Sequence, residues 1–498
     1  MGTLGGVRSE LFEVEPTENG EVVVSYQAQF GPLGHERTAT VRTRPVADDV
    51  AQAPDRVGRL GGERLQHGLK RMQVPVNVRE DRDPHRRRTL AQAGAVLVAA
   101  LVWVASGALL WRTQVPRLDL PELNPRDYFP ADALERAADF RRVSRLLFFG
   151  SLALQLLVLG LLVWKARPLA DALADVFRGR IRTGVALGIV VALALWLVVL
   201  PLHAVSHWWR RRYGLSEQGY DGWLRDEAVS LGITIVLATI AVVGALALAG
   251  WLGGRWWLVG GPALAAIGVL FVLVQPLIIQ PLFNRFEPLP DRELAREIER
   301  LGDDLGVRVD NVQVADASRR TTAANAYVAG IGPSKRVVLY DTILDGSFSR
   351  GQLLSVSAHE LAHVARSHLW KGLAWFALLA IPGVFLVAWV TQRRGGLDDP
   401  ALVPLALLVA LLFSLATLPF QNLVSRRYER EADWLALVAT RDPDSAISLD
   451  RKLVLRALGD PDPPGWLVVL LSTHPPAIDR IAMAEAFKTR EGLLPAGS

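Results

Sequence analysis

The stretch Ser357–His368 reads SAHELAHVARSH and contains the pattern H-E-x-x-H. On a helix, histidines four residues apart lie on one face, about one turn apart, where both imidazoles can bind one metal ion. His359 and His363 are therefore candidate metal ligands, and Glu360 between them is a candidate general base acting on the attacking water. Two histidines do not complete a catalytic zinc site, so the fold must bring a third ligand from elsewhere in the chain.

The sequence after the motif limits the choice. A metzincin needs a further histidine ten residues after the first, but position 369 is Leu and position 366 is Arg. His368 follows His359 by nine residues, which on a continuous helix is about half a turn from the ligand face. It reads as a surface or supporting histidine rather than a ligand. The remaining donor set is two histidines and a glutamate on a later helix. The segment Ser425–Asp433, SRRYEREAD, offers one. Glu429 can bind the metal while Asp433, four residues on, accepts the N–H of a ligand imidazole. Glu431 is the rival ligand, turned about 160° from that face by helical spacing. The alternative reading of this segment is a charged, solvated helix.

Chain geometry favours the metal reading. Seven apolar runs occur, at Ala91–Trp111, Leu146–Trp164, Gly184–Pro201, Val229–Leu252, Trp256–Ile279, Gly372–Val390 and Ala401–Pro419, and none contains Asp, Glu, Lys or Arg. Each is near the ~20 residues that a helix needs to cross a bilayer. His363 lies nine residues before the sixth run and Glu429 ten residues after the seventh. Two consecutive spans return the chain to the same side, so both groups stand roughly 15 Å beyond the same membrane face.

Composition agrees with a membrane protein. The chain of 498 residues is 51% hydrophobic with mean hydropathy +0.24. It has no cysteine, which excludes disulfides and thiolate-bound metal. The net charge of +5 does not indicate nucleic acid, because Arg86–Arg88 and Arg210–Arg212 cluster beside apolar runs, as in membrane proteins. The first apolar run begins too far in for a signal peptide. Arginine far outnumbers lysine, a bias of GC-rich bacterial genomes, so a bacterial cell membrane is the expected location.

Three regions follow. Residues 1–90 form a small extension of unknown role, with strand candidates at Glu10–Glu15, Glu21–Phe30 and Thr38–Arg44 and a charged linker after them. Residues 91–283 hold five spans, the fourth and fifth joined by the Gly253-Gly254-Arg255 turn. Residues 284–498 hold the metal-site residues and two further spans (372–390 and 401–419). There, Leu294, Ile298, Leu301 and Leu305 fall on one helical face, and strand candidates follow at Asn311–Ala315, Ala324–Ala329 and Arg336–Tyr340. The expected fold is mostly α: a seven-span membrane protein with a membrane-adjacent zinc-peptidase domain containing a small sheet, and a β-rich N-terminal extension.

Several further segments carry a resemblance: Pro281–Pro290 (PLFNRFEPLP), Asn325-Ala326-Tyr327, Arg336–Thr342 (RVVLYDT), Ser472–Pro476 (STHPP) and Arg480, together with the two segments above. In this order they resemble the type I CAAX prenyl endopeptidases and their bacterial relatives, membrane-embedded gluzincins, over about residues 180 to 485. The resemblance implies one zinc ion per chain held by His359, His363 and Glu429, with Glu360 as base. It implies that Asn325, Ala326 and Tyr327 lie on an edge strand that pairs with the substrate backbone. It implies that His474 faces the metal and steadies the oxyanion, and that Arg480 orients that segment or a substrate carboxylate. The expected partners are a membrane-associated polypeptide substrate and the bilayer itself. Ala362 stands where the family usually has Gly, a small-for-small change.

Rival readings have weaker support. Trimming or degradation of membrane proteins, as by heat-shock membrane zinc peptidases, needs the same site. A transporter would place ionisable groups within its spans, and none has them. A non-catalytic scaffold would be expected to lose the base or a ligand. His203 and His207 are also four apart but have no acidic partner near in sequence. Short, weakly basic turns at Gly253–Arg255 and Arg393–Asp399 suit the outer side, which places the metal site in the cytoplasm.

Overall fold

The computed structural model describes residues 10–16, 22–29, 36–43, 84–330, 332 and 335–493. The chain divides into two units, 1–87 and 88–498. In the first, the backbone of β1 (Glu10–Pro16), β2 (Val22–Gln29) and β3 (Glu36–Thr43) pairs antiparallel in that order.

The second unit is built on long helices. Among the described residues six are long and apolar enough to cross a membrane: Ala131–Trp164, Arg180–Arg212, Tyr220–Arg255, Trp257–Phe283, His368–Gln392 and Pro400–Thr440. The first expected span, Ala91–Trp111, falls within helix α1 (Pro84–Leu110). The apolar stretch described there, Leu97–Leu110, is shorter than the other six.

The six long helices follow as α2 (Ala131–Trp164), α4 (Arg180–Arg212), α5 (Tyr220–Leu252), α6 (Trp257–Val274), α9 (His368–Gln392) and α10 (Val403–Thr440). A shorter helix, α3 (Ala166–Phe177), joins α2 to α4. Within a bilayer the lipid is as apolar as the side chains, so helices associate through close packing at small residues. Gly184 and Gly188 of α4 face Leu246 and Val242 of α5, and Gly261 of α6 lies against the backbone of Ile381 in α9. At 1.5 Å per residue the 38 residues of α10 extend about 57 Å. That exceeds the ~30 Å hydrocarbon layer. The polar end of α10 therefore stands clear of the apolar zone.

Between α6 and α9 lies the mixed layer that carries the site. Strands β4 (Phe286–Pro288), β5 (Asn311–Ala315), β6 (Ala326–Ala329) and β7 (Arg336–Tyr340) form a sheet in the order β4-β5-β7-β6. The β5–β7 pair is parallel and the other two pairs are antiparallel. One face of the sheet packs on α7 (Arg292–Asp304) and α8 (Arg350–Ala365), burying Leu294, Ile298, Val312, Ala326, Val337, Leu339, Val356 and Leu361 together. Asp291 starts α7 by accepting the backbone N–H groups of Glu293 and Leu294. A reciprocal Ser349–Gln352 capping box starts α8. After α10 come α11 (Pro443–Ala457), α12 (Gly465–Leu471) and α13 (Ala477–Glu491), and α11 adds Leu449 to the same core.

Gly302 in α7 tests this packing. A Cβ there would stand 2.6 Å from the Val307 carbonyl oxygen and 2.9 Å from Val309. Alanine favours helix over glycine by about 1 kcal/mol at an open position. At this one Gly302→Ala is expected to destabilise the protein by about 1–3 kcal/mol. The check is thermal unfolding in detergent, and an unchanged or higher midpoint would show that the contact yields.

Candidate metal centre

Helix α8 presents His359, Glu360 and His363, and α10 presents Glu429. The nitrogens of His359 and His363 and a carboxylate oxygen of Glu429 lie within 4.8 Å of one another. His359 Nε2 is 3.1 Å from His363 Nε2, 3.2 Å from Glu429 Oε2, and His363 Nε2 is 3.6 Å from Glu429 Oε1. Ligands bound at ~2.0–2.1 Å around a tetrahedral ion stand about 3.3 Å apart, so the three atoms sit at ligand spacing.

The surroundings favour a cation at this point. His359 Nδ1 is 2.8 Å from Asp433 Oδ1, and His363 Nδ1 is 2.9 Å from His368 Nδ1. With both Nδ1 atoms turned toward those neighbours, both Nε2 atoms face each other and the Glu429 carboxylate. Glu429 Oε2 is buried, with His359 Nε2 at 3.2 Å and His474 Nδ1 at 2.8 Å. Two imidazoles and one carboxylate, with no thiolate, form the donor set of a catalytic zinc site. Burial opposes the charged form of His359, yet Asp433 and Glu429 outweigh it and carry that imidazole up to about 10. The same negative field attracts a metal cation.

Glu360 shares the face with the two histidines. Burial pushes its carboxyl above the usual range, against the pull of His359 and His363. A carboxylate with raised proton affinity is suited to accept a proton from water near neutral pH. His474 Nδ1 is 2.8 Å from Glu429 Oε2 on an otherwise exposed side chain, so it stands at the open side of the cluster.

Behind the cluster, Arg480 makes a two-pronged contact with Asp433, Nη2 to Oδ1 at 2.7 Å and Nε to Oδ2 at 3.0 Å. Its Nη1 lies 2.8 Å from Asp450 Oδ1. Arg480 thus serves as the buried cation between two acids. Burial lifts the carboxyl of Asp450, which has no part in the motifs, to about 6. A cavity of about 120 Å³ opens beside the site, lined by Asn325, His359, Glu360, His474 and the apolar Val356 and Leu449.

The expected substrate strand divides by side-chain direction. Asn325 lines the cavity, Ala326 joins the core beneath the sheet, and Tyr327 packs on the other face with Tyr340 and Phe286. Burial lifts the Tyr327 hydroxyl to about 12, so it stays neutral. Strand β6 ends the sheet order, leaving its outer edge without a strand partner among the described residues.

Three residues play a larger part than the motif reading assigns them. His368 is buried and touches His363; Glu431 is buried and touches His368 at 3.0 Å; Asp450 completes the Arg480 pair. Glu431 is not part of the His359–His363–Glu429 cluster. In the sequence Glu431 is one of three acids within five residues, a pattern that a solvated helix shares.

Site and fold together define a multi-pass membrane metallopeptidase. Residues 288–488 match the model of peptidase family M48, and residues 114–285 match that of the CAAX prenyl protease N-terminal region, five membrane helices. The uncharacterised metalloprotease YhfN of Bacillus subtilis is 31% identical over 306 residues, covering 59% of this chain and 72% of that one. The chain belongs to peptidase family M48. A CAAX prenyl protease 1 homolog of Oryza sativa is 30% identical over 295 residues, covering 55% of this chain and 66% of that one. For the homolog of Arabidopsis thaliana the match spans 55% of the relative's length. The crystal structure of S. mikatae Ste24p superposes with TM-score 0.66 at 20% identity, covering 78% of this chain and 97% of that one. At that identity the likeness establishes the fold.

Replacing Arg480 by Met would leave Asp433 and Asp450 facing each other without their cation. The expected cost is about 3–5 kcal/mol. It would be read as a lower thermal midpoint of the detergent-solubilised protein; a midpoint equal to wild type would show that the pair is solvated.

Proposed function

We propose that this chain is a zinc-dependent endopeptidase acting on membrane-associated polypeptides, with one zinc ion held by His359, His363 and Glu429. The observation that carries it is the arrival of these three donors, from helices separated by a membrane hairpin, at ligand spacing around Glu360. When bound, zinc supplies a Lewis acid that polarises the scissile carbonyl and makes water acidic near neutral pH. The chain's own residues do the rest. Glu360 takes the proton of the attacking water and passes it to the leaving amine. His474, at the open side, donates to the developing oxyanion. The free edge of β6, which starts at Ala326-Tyr327 just after Asn325, offers main-chain groups to an extended substrate, with side-chain choice left to the adjacent cavity. Asp433 and Arg480 keep His359 in orientation.

The wider organisation follows the same reading. Helix α1 serves as a seventh span, since Leu97, Leu101, Val104 and Leu109 expose apolar surface suited to lipid. The three strands belong to the β-rich extension expected in residues 1–90, whose expected linker lies largely outside the described residues; residues 91–283 form five spans and residues 284–498 the peptidase domain with two. The short turns between spans suit the outer side of a bacterial cell membrane, with the catalytic side in the cytoplasm. The CAAX relatives suggest that flexible C-terminal segments of lipid-anchored proteins are among the substrates.

Glu360→Gln tests the base without disturbing the ligands. Zinc content is expected to stay near one per chain. Cleavage of an unstructured, membrane-tethered peptide is expected to fall by about 10²–10⁴-fold. Equal cleavage by the variant would remove Glu360 from the reaction, and a folded wild type without zinc would overturn the metal assignment.

A further inference from the structure

The two metal-site histidines are not supported alike. Asp433 supports His359. Beside His363 is a second histidine, His368, and beyond it Glu431, only 2% exposed. His363 must keep Nε2 free to bind a metal, so its proton sits on Nδ1 and is donated to His368 Nδ1 at 2.9 Å. His368 then carries its own proton on Nε2 and donates it to Glu431 Oε2 at 3.0 Å. The other oxygen of Glu431 accepts the backbone N–H of Gln114 at 2.7 Å. Lys371 and Arg366, at 3.7 and 3.8 Å, balance the buried carboxylate.

Local backbone geometry brings this chain together. Helix α8 ends where Ser367 takes a left-handed conformation (φ 56°), and His368 opens α9 in a new direction. The turn returns the His368 ring to His363, where a continuous helix would carry it away. The ring of Tyr428 stacks on His368 at 4.7 Å with planes 10° apart. The Tyr428 hydroxyl accepts from Trp375 Nε1 at 2.9 Å and donates to the Leu110 carbonyl at 2.7 Å. Arg427 Nε donates to the Trp111 carbonyl at 2.6 Å. The end of α1 and the segment after it thus grip the same turn of α10 that holds Glu429 and Glu431.

We infer that His368 and Glu431, clamped by the Leu110–Gln114 segment, are positioning residues that orient His363 and set the affinity of the site for its metal. The inference rests on the metal assignment proposed above. Supports of this kind typically change metal affinity by about 10–100-fold when removed.

The test uses the full-length, detergent-purified protein and zinc dissociation constants from chelator competition at fixed pH. His368→Phe keeps the stack on Tyr428 and removes both ring nitrogens. His368→Gln loses the stack and keeps an acceptor and a donor. Zinc affinity is expected to fall about 10–100-fold in His368→Phe and Glu431→Gln. His368→Gln should recover most of that loss, and Arg430→Gln, an exposed change one residue away, should match wild type. A packing role alone predicts the reverse order, with Phe tolerated and Gln not. That order, or unchanged affinity in both His368→Phe and Glu431→Gln, would overturn the inference while leaving the metal site intact. Absence of zinc from folded wild type would overturn the metal assignment and this inference with it.

Discussion

The structure depends on one electrostatic constraint: two imidazole lone pairs and a carboxylate, largely withdrawn from water, face one point. Such a cluster is unfavourable unless a cation occupies it or the groups move apart. They cannot move apart easily, because α8 is fixed by the sheet core and α10 by its membrane partners. The bilayer links the two helices. Helix α9 leaves the site, crosses, turns near Gly395 and Gly396, both at positive φ, and α10 returns with Glu429 at matching height. The hydrophobic thickness that α9 and α10 must cross therefore sets how far His363 and Glu429 stand from the membrane.

Buried charge around this point is organised as two separate chains. On the His359 side Asp433 and Asp450 share Arg480. On the His363 side Glu431 is held by His368, a backbone N–H and two cations near 3.8 Å. Each histidine of the cluster is held through its far nitrogen, leaving the near nitrogen with little rotational choice. Preorganisation of this kind means that little entropy is lost when a metal binds.

Much of this was legible in the sequence, for identifiable reasons. The height match of His363 and Glu429 could be counted because bilayer spans have nearly fixed length and α10 is one uninterrupted helix. The buried face of α7 at Leu294 and Ile298 and the strands Asn311–Ala315 and Arg336–Tyr340 followed from apolar period. Spacing leaves His368 as either a surface or a supporting histidine, because helical counting assumes that α8 continues, whereas Ser367 breaks it with a conformation that spacing does not encode. Helical spacing sets Glu431 at an angle to Glu429, away from the His359–His363 face. That angle said nothing of a second histidine approaching from the other side. The Gln114 contact is made by a backbone N–H, which leaves no mark in residue identity.

Strand β6 shows what the fold holds open. A free strand edge invites pairing with other chains, and proteins usually cover it, shorten it or charge it. Here the edge strand is only four residues long and packs through Ala326 and Val328 against the core that contains α8. Shortness limits self-association, yet the unpaired edge stays beside the helix that carries Glu360. Under the proposed function these four residues would hold an extended substrate segment, with Asn325 lining the cavity and Ala326 and Val328 engaged in the core.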